Sequence, residues 1–138
     1  MTVILCLDSN FGMLFNGRRQ SMDLLLYKRI EDDLNGRKLL VNSYSARLFD
    51  STKIICDDNF LENAGRDDIC FAENVDLSLY FDKIDKYVLY FWNRTYPSDV
   101  KFNNSMYGFL LASETEFKGN SHERITEKIY IRNIKENL

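Results

Sequence analysis

Few side chains in this 138-residue chain are of a type and placement that suggest chemistry, and Asp23 comes first among them. It is followed by Leu24 and Leu25 where an apolar helical pattern begins. A carboxylate on a pocket-facing helix is desolvated, which raises its pKa toward the range that proton transfer near neutral pH needs. The same residue also reads as a helix N-terminal acid favoured by the macrodipole. The single histidine, His122, precedes Glu123, and no nucleophile stands near it at a recognisable spacing, so a hydrolase triad is not expected. Cys6, Cys56 and Cys70 contain no C-x-x-C pair and lie far from His122, which argues against a zinc site and a disulfide scaffold. They are expected to be reduced, small apolar core residues. The acidic pairs Asp32-Asp33, Asp57-Asp58 and Asp67-Asp68 lack calcium-loop spacing and read as polar loop and helix-face residues. Arg18-Arg19 and Arg37-Lys38 read as solvated surface rather than a phosphate site. Tyr87, Tyr90, Phe91, Trp92 and Tyr96 form the densest aromatic cluster, and strict alternation in a strand cannot bury all of them. Phe91 and Trp92 fall at a loop edge, where exposed aromatics, with Arg94 and Tyr96, would anchor a protein partner.

The elements that must position these groups alternate. Thr2 to Leu7 is a continuous apolar run of strand length ending at Asp8-Ser9-Asn10. Phe11 to Gln20 is expected to be loop. Ser21 is a plausible N-cap for a helix reaching about Leu34, with Leu24, Tyr27, Ile30 and Leu34 at helical spacing and Asn35-Gly36 as a stop. Short strands follow at 38–41, 53–56, 69–72 and 86–91, separated by helical turns at 43–49 and 75–81 and by a polar connection at 57–68. Segments 106–112 and 127–132 close the series. Apolar strands interleaved with helices predict an α/β three-layer sandwich with a mostly parallel central sheet, in a single domain spanning 1–138. In such a fold ligands sit at the carboxyl ends of the strands.

Composition narrows the function classes. Net charge is −3 and aromatics make up 14% of the chain, so a core is affordable and no nucleic-acid partner is expected. No membrane span or secretory leader is evident, and a cytoplasmic location is expected. Thirteen Asn against four Ala and one Pro look like an AT-rich coding sequence, such as that of a phage or a low-GC bacterium.

The order of these segments resembles dihydrofolate reductase. The first strand with Asp8-x-x-x-Gly12 is similar to that family's opening strand and mobile loop. Asp23-Leu-Leu-Leu-Tyr27-Lys28-Arg29 resembles its first helix, and Lys38 to Ser45 its second strand and the helix start after it. Ile54-Ile55 resembles the third strand, Asn74-Val75-Asp76 a later helix entry, Tyr87 to Tyr90 with Tyr96 the cofactor-loop strand, and Ser113 to Ser121 an acidic stretch. The resemblance runs from Thr2 to about Ser121. It implies that Asp23 directs a proton to a pterin ring and that NADPH binds through a Gly-Gly pair and a Gly-Arg pair. Matched to the strand ending at Tyr90, the Gly-Gly pair becomes Phe91-Trp92, and the Gly-Arg pair becomes Asn42-Ser43. The arginine expected for the folate carboxylate becomes Asp50 or Ser51, the threonine expected to partner Asp23 becomes Leu111, and the chain after Ser121 looks short for a final β-hairpin.

These substitutions point to a diverged member without the usual NADPH site and with no cofactor, acting as a non-enzymatic binding or regulatory protein on a host or phage partner. Phe91, Trp92, Arg94 and Tyr96 are its expected surface. The alternative is a diverged reductase that passes hydride from NADPH to a pterin or folate with Asp23 as the proton-directing acid. A third reading keeps only binding of a pterin-like ring at Asp23.

Overall fold

Residues 1–133 are described by the computed structural model. Its strands are β1 (Thr2–Leu7), β2 (Gly12–Phe15), β3 (Arg18–Arg19), β4 (Leu39–Val41), β5 (Ile54–Cys56), β6 (Ile69–Phe71), β7 (Lys86–Phe91), β8 (Val100–Lys101), β9 (Phe109–Phe117) and β10 (Ile125–Arg132). Two α-helices, α1 (Leu24–Asp32) and α2 (Phe60–Asn63), are joined by 3-10 turns at Ala46–Leu48, Ser51–Lys53 and Leu77–Lys83. Seven strands form one sheet in the order β5-β4-β6-β1-β7-β10-β9, and β3-β2-β8 form a small second sheet. β5, β4, β6, β1 and β7 are mutually parallel, and the β9–β10 hairpin closes one side antiparallel to β7. The α/β expectation with a mostly parallel sheet therefore holds.

The apolar run of β1 follows from burial on both faces. Val3, Leu5 and Leu7 join Tyr87, Leu89, Phe60 and Leu77 in one core, while Ile4 joins Leu26, Tyr27, Ile30, Phe71, Val88 and Tyr90 in the other. Two covered faces also resolve the aromatic cluster. Successive residues of β7 point to opposite cores, so Tyr87, Tyr90 and Trp92 are all buried.

Several local expectations need correction. Segment 11–20 contains the β2–β3 hairpin, turned by Asn16-Gly17 with φ of 52° and 71°. Positive φ at both central residues matches the twist of a two-residue hairpin, and Asn-Gly is the pair that tolerates it. The cap of α1 is Asp23, two residues beyond Ser21, because the Asp23 Oδ1 accepts the Leu26 N–H at 3.1 Å. Rotating the start in this way turns Leu24 outward, and it is 67% exposed. The helix does end at the predicted stop, with Asn35 and Gly36 both at positive φ. The 57–68 connection carries α2, whose Phe60 and Leu61 are buried. The final hairpin, for which the chain looked short, is present as β9 and β10. Cys70 is a core residue, Cys6 is half-buried, and Cys56 is exposed. Among the described residues no helix is long and apolar enough to cross a membrane, and no cluster of three His, Cys, Asp or Glu could hold a metal.

Candidate functional site

Ligands in open parallel sheets gather where neighbouring strands send their connections to opposite faces. The connection after β1 places helix α1, and the connection after β4 places Phe49, in one core, whereas the connection after β6 packs Leu77 and Ile84 in the other. The carboxyl end of β6, between β1 and β4, is thus the switch point. Phe91-Trp92 end β7, which lies between β1 and β10. Topology therefore puts Ala72 and Glu73, and not Phe91-Trp92, at the switch point.

Each of the three strands around that point is followed by a buried polar side chain: Asp8, Asn42 and Glu73. Arg19 grips Glu73 with both ends of its fork, Nε to Oε1 at 2.9 Å and Nη2 to Oε2 at 3.0 Å. The Ser45 hydroxyl donates to Oε2 at 2.6 Å. Bidentate, charge-assisted pairing of this kind is strong and directional. Arg19 also donates from Nη2 to the Tyr44 carbonyl at 3.2 Å and lies 4.5 Å above the Tyr44 ring. Arg19 is therefore not the solvated surface cation its sequence context suggests. Asn42 donates to Asn74 at 2.8 Å and accepts from the Ser45 N–H at 3.2 Å. Glu73 is thus a buried carboxylate at the carboxyl end of β6, paired by Arg19 and Ser45.

Asp8 closes the loop after β1. Its Oδ1 accepts from the backbone N–H of Asn10 and Gly12, both at 2.8 Å, and its Oδ2 from Gln20 and the Tyr96 N–H, both at 3.1 Å. Burial pushes this carboxyl up, but the bonds from Gly12, Tyr96, Asn10 and Gln20 outweigh it and lower its pKa. The spacing Asp8-x-x-x-Gly12 has a steric reason: a Cβ on Gly12 would meet Gln20 Nε2 at 2.6 Å and Asp8 Oδ2 at 2.9 Å.

Between α1 and β6, the space over the sheet is filled by three rings. Tyr27, Phe49 and Phe71 meet edge to face with centroids 5.6, 6.3 and 5.1 Å apart, and all three are buried. Burial also raises the pKa of Tyr27 and of neighbouring Cys6, helped in both cases by the Glu73 charge.

Asp23 caps the helix that walls this ring-filled crevice and is 1% exposed. Its Oδ1 accepts from Leu26 N–H and Asn120 N–H, and its Oδ2 from Ser121 N–H at 3.0 Å, Ser121 Oγ at 3.2 Å and His122 Nδ1 at 3.0 Å. Burial alone would raise its pKa, as the apolar flanks predict. The bonds from His122, Ser121, Asn120 and Leu26 reverse the sign and bring it down to about 2. Leu111, matched to a partner of this carboxylate, is instead exposed on edge strand β9. Gly119 shows how tight the cage is, since a Cβ there would stand 2.2 Å from Asp23 Oδ2. We expect Gly119→Ala to cost about 2–3 kcal/mol in urea unfolding, at the upper end of overpacking effects; an unchanged midpoint would show that the cage yields freely.

Of the expected partner surface, Trp92 is buried and stacked on His122 with centroids 4.6 Å apart. Tyr96 is half-buried beside the same histidine, and Arg94 is exposed. Phe91 is half-buried, edge to face with Phe11 at 5.8 Å. A cleft of about 390 Å³ between β2, β8 and the turn at Leu77–Lys83 is lined by Asp76 and Asp99 against one cation, Lys101. Glu73, Arg19 and the surroundings of His122 were not legible as site residues. The one local signal is a carboxylate directly after the apolar stretch Ile69-Cys70-Phe71-Ala72.

These features define a mixed α/β protein of dihydrofolate reductase-like fold. The particular likeness is to dihydrofolate reductase from Enterococcus faecalis, solved in complex with NADP(H) and RAB-propyl, with a TM-score of 0.68 over 96% of this chain and 95% of that one. Identity is 9%, so the likeness establishes the fold. No protein-family model matches the chain, and no curated protein matches it.

Proposed function

We propose that this chain is a diverged dihydrofolate reductase-like domain that has given up the NADPH site and acts by binding a protein partner. The observation that carries the reading is the Arg19–Glu73–Ser45 cluster at the switch point. A nucleotide pyrophosphate there would face a buried carboxylate, and displacing Glu73 would leave Arg19 and Ser45 to be re-paired. The residues present do not fit the cofactor, and no hydride step is derived through it. The Tyr27–Phe49–Phe71 packing supports the same reading on the pterin side.

The partner surface is re-centred by burial. Trp92 faces the core, so Phe91 and Arg94 remain, joined by Phe11. Phe11 is 47% exposed at φ 63°, a left-handed conformation that is costly for a bulky side chain. The Asp8 turn holds it there through the Phe11 N–H to Asp8 carbonyl bond, and the Phe102 N–H bonds the Phe11 carbonyl at 2.8 Å. Strain retained to present an aromatic to solvent is a feature of recognition sites.

Thermal unfolding with and without NADPH tests the cofactor part. A site of micromolar affinity, at a 100-fold excess of ligand, adds about 2.7 kcal/mol of stability. We expect no shift. A saturable shift, followed by dihydrofolate turnover that Asp23→Asn abolishes, would restore the reductase reading.

A further inference from the structure

Tertiary structure brings together three residues that look unrelated in sequence. Ser21 Oγ lies 2.9 Å from His122 Nε2, and Asp23 Oδ2 lies 3.0 Å from His122 Nδ1. Asp23 is ionised and can only accept, so Nδ1 carries a proton, while Nε2 faces the Ser21 hydroxyl, with the Tyr96 hydroxyl farther off at 3.5 Å. A hydroxyl held by an imidazole that is in turn oriented by a buried carboxylate is the arrangement by which serine is activated on unrelated folds, recognised by geometry and not by sequence order. His122 and Asp23 are buried, whereas Ser21 is partly exposed. The imidazole plane is further fixed by stacking on Trp92.

We propose that Ser21 is a nucleophile, with His122 as its base and Asp23 as the positioning anion, and that it accepts acyl groups from neutral esters with apolar acyl chains. In the first step the Ser21 Oγ bonds to the ester carbonyl carbon while its proton moves to His122 Nε2. The ester C–O bond then breaks, and His122 returns the proton to the departing alcohol. Water repeats the sequence on the acyl-serine, releasing the carboxylic acid and restoring Ser21. The apolar preference follows from Met22, Leu24 and Leu25, which are 47%, 67% and 47% exposed beside Ser21. The centre shares Asp23 with the helix that walls the crevice, and its labelling is read separately from nucleotide binding.

The test is reaction with a fluorophosphonate probe, read by intact mass and peptide mapping across pH. Ser21 Oγ bonds to phosphorus, fluoride leaves, and the proton passes to His122 and then to solvent. We expect one adduct, on Ser21, absent in Ser21→Ala, with a rate that rises through a single deprotonation. His122→Gln should slow labelling about 100-fold or more and flatten that pH profile. Asp23→Asn should slow labelling as well, because the imidazole loses the anion that orients it through Nδ1. A merely structural Ser21–His122 bond leaves no pH-dependent labelling for these variants to change. Labelling spread over exposed serines such as Ser51, no adduct at all, or a Ser21 rate untouched by His122→Gln would each overturn the proposal.

Discussion

Replacing Asp23 by asparagine lowers the unfolding free energy by about 3 kcal/mol at neutral pH, the scale expected when a buried, multiply bonded charge is lost. Three donors around the carboxylate are backbone N–H groups, of Leu26, Asn120 and Ser121, and cannot turn away; the Ser121 hydroxyl and His122 Nδ1 complete the shell. Either orientation of the amide turns an NH₂ group toward such donors. The change also unties α1 from the segment before β10, so the loss reaches two elements. pH dependence supplies an independent check. The folded-state pKa of about 2 lies below the ordinary 3.8, so Asp23 contributes stability that is complete above about pH 4 and disappears as pH falls through 2. The integrated contribution is about 2 kcal/mol. Wild-type unfolding free energy should fall across that window by this much more than that of Asp23→Asn, measured by urea titration at each pH. Equal slopes would mean that the carboxylate is not held as described.

Phe71→Ala should be the most damaging core substitution near the crevice, at about 3–5 kcal/mol. Phe71 is fully buried and meets both Tyr27 and Phe49 edge to face, so its removal strands two rings as well as opening a void. The void lies between α1 and β6. A dry apolar cavity of ring size binds small aromatics. Benzene should therefore raise the melting temperature of Phe71→Ala and leave wild type unchanged. NADPH should stabilise neither, because the Glu73 carboxylate and its partners are still in place. Stabilisation of the variant by NADPH would show that the aromatic filling, and not Glu73, excludes the cofactor.

Asp23 illustrates how a correct residue can carry a wrong sign. Its helix position was readable from Asp23-Leu-Leu-Leu-Tyr27, and desolvation does push its pKa up. The opposing donors come from residues 120–122, about a hundred positions away, and no local pattern announces them. Phe91-Trp92 show a different failure. Matching by chain order leads to β7, but neighbour order in a sheet is not chain order, and β6 inserts between β4 and β1. Trp92 was read as exposed because a loop edge usually is, yet His122 packs over its ring.

Strand and helix periodicity in this chain is local, set by alternation, apolar runs and turn residues such as Asn35-Gly36, and it sufficed for the α/β architecture with a mostly parallel sheet. Backbone conformation responds to neighbours a few residues away, which is why those elements could be read directly. The Arg19–Glu73–Ser45 cluster, the Ser21–His122–Asp23 relay and the filling of the crevice are decided at long range. Each needs groups from separate elements placed to within a fraction of an ångström, and only the packing of α1, the loops after β1 and β9, and the sheet provides that.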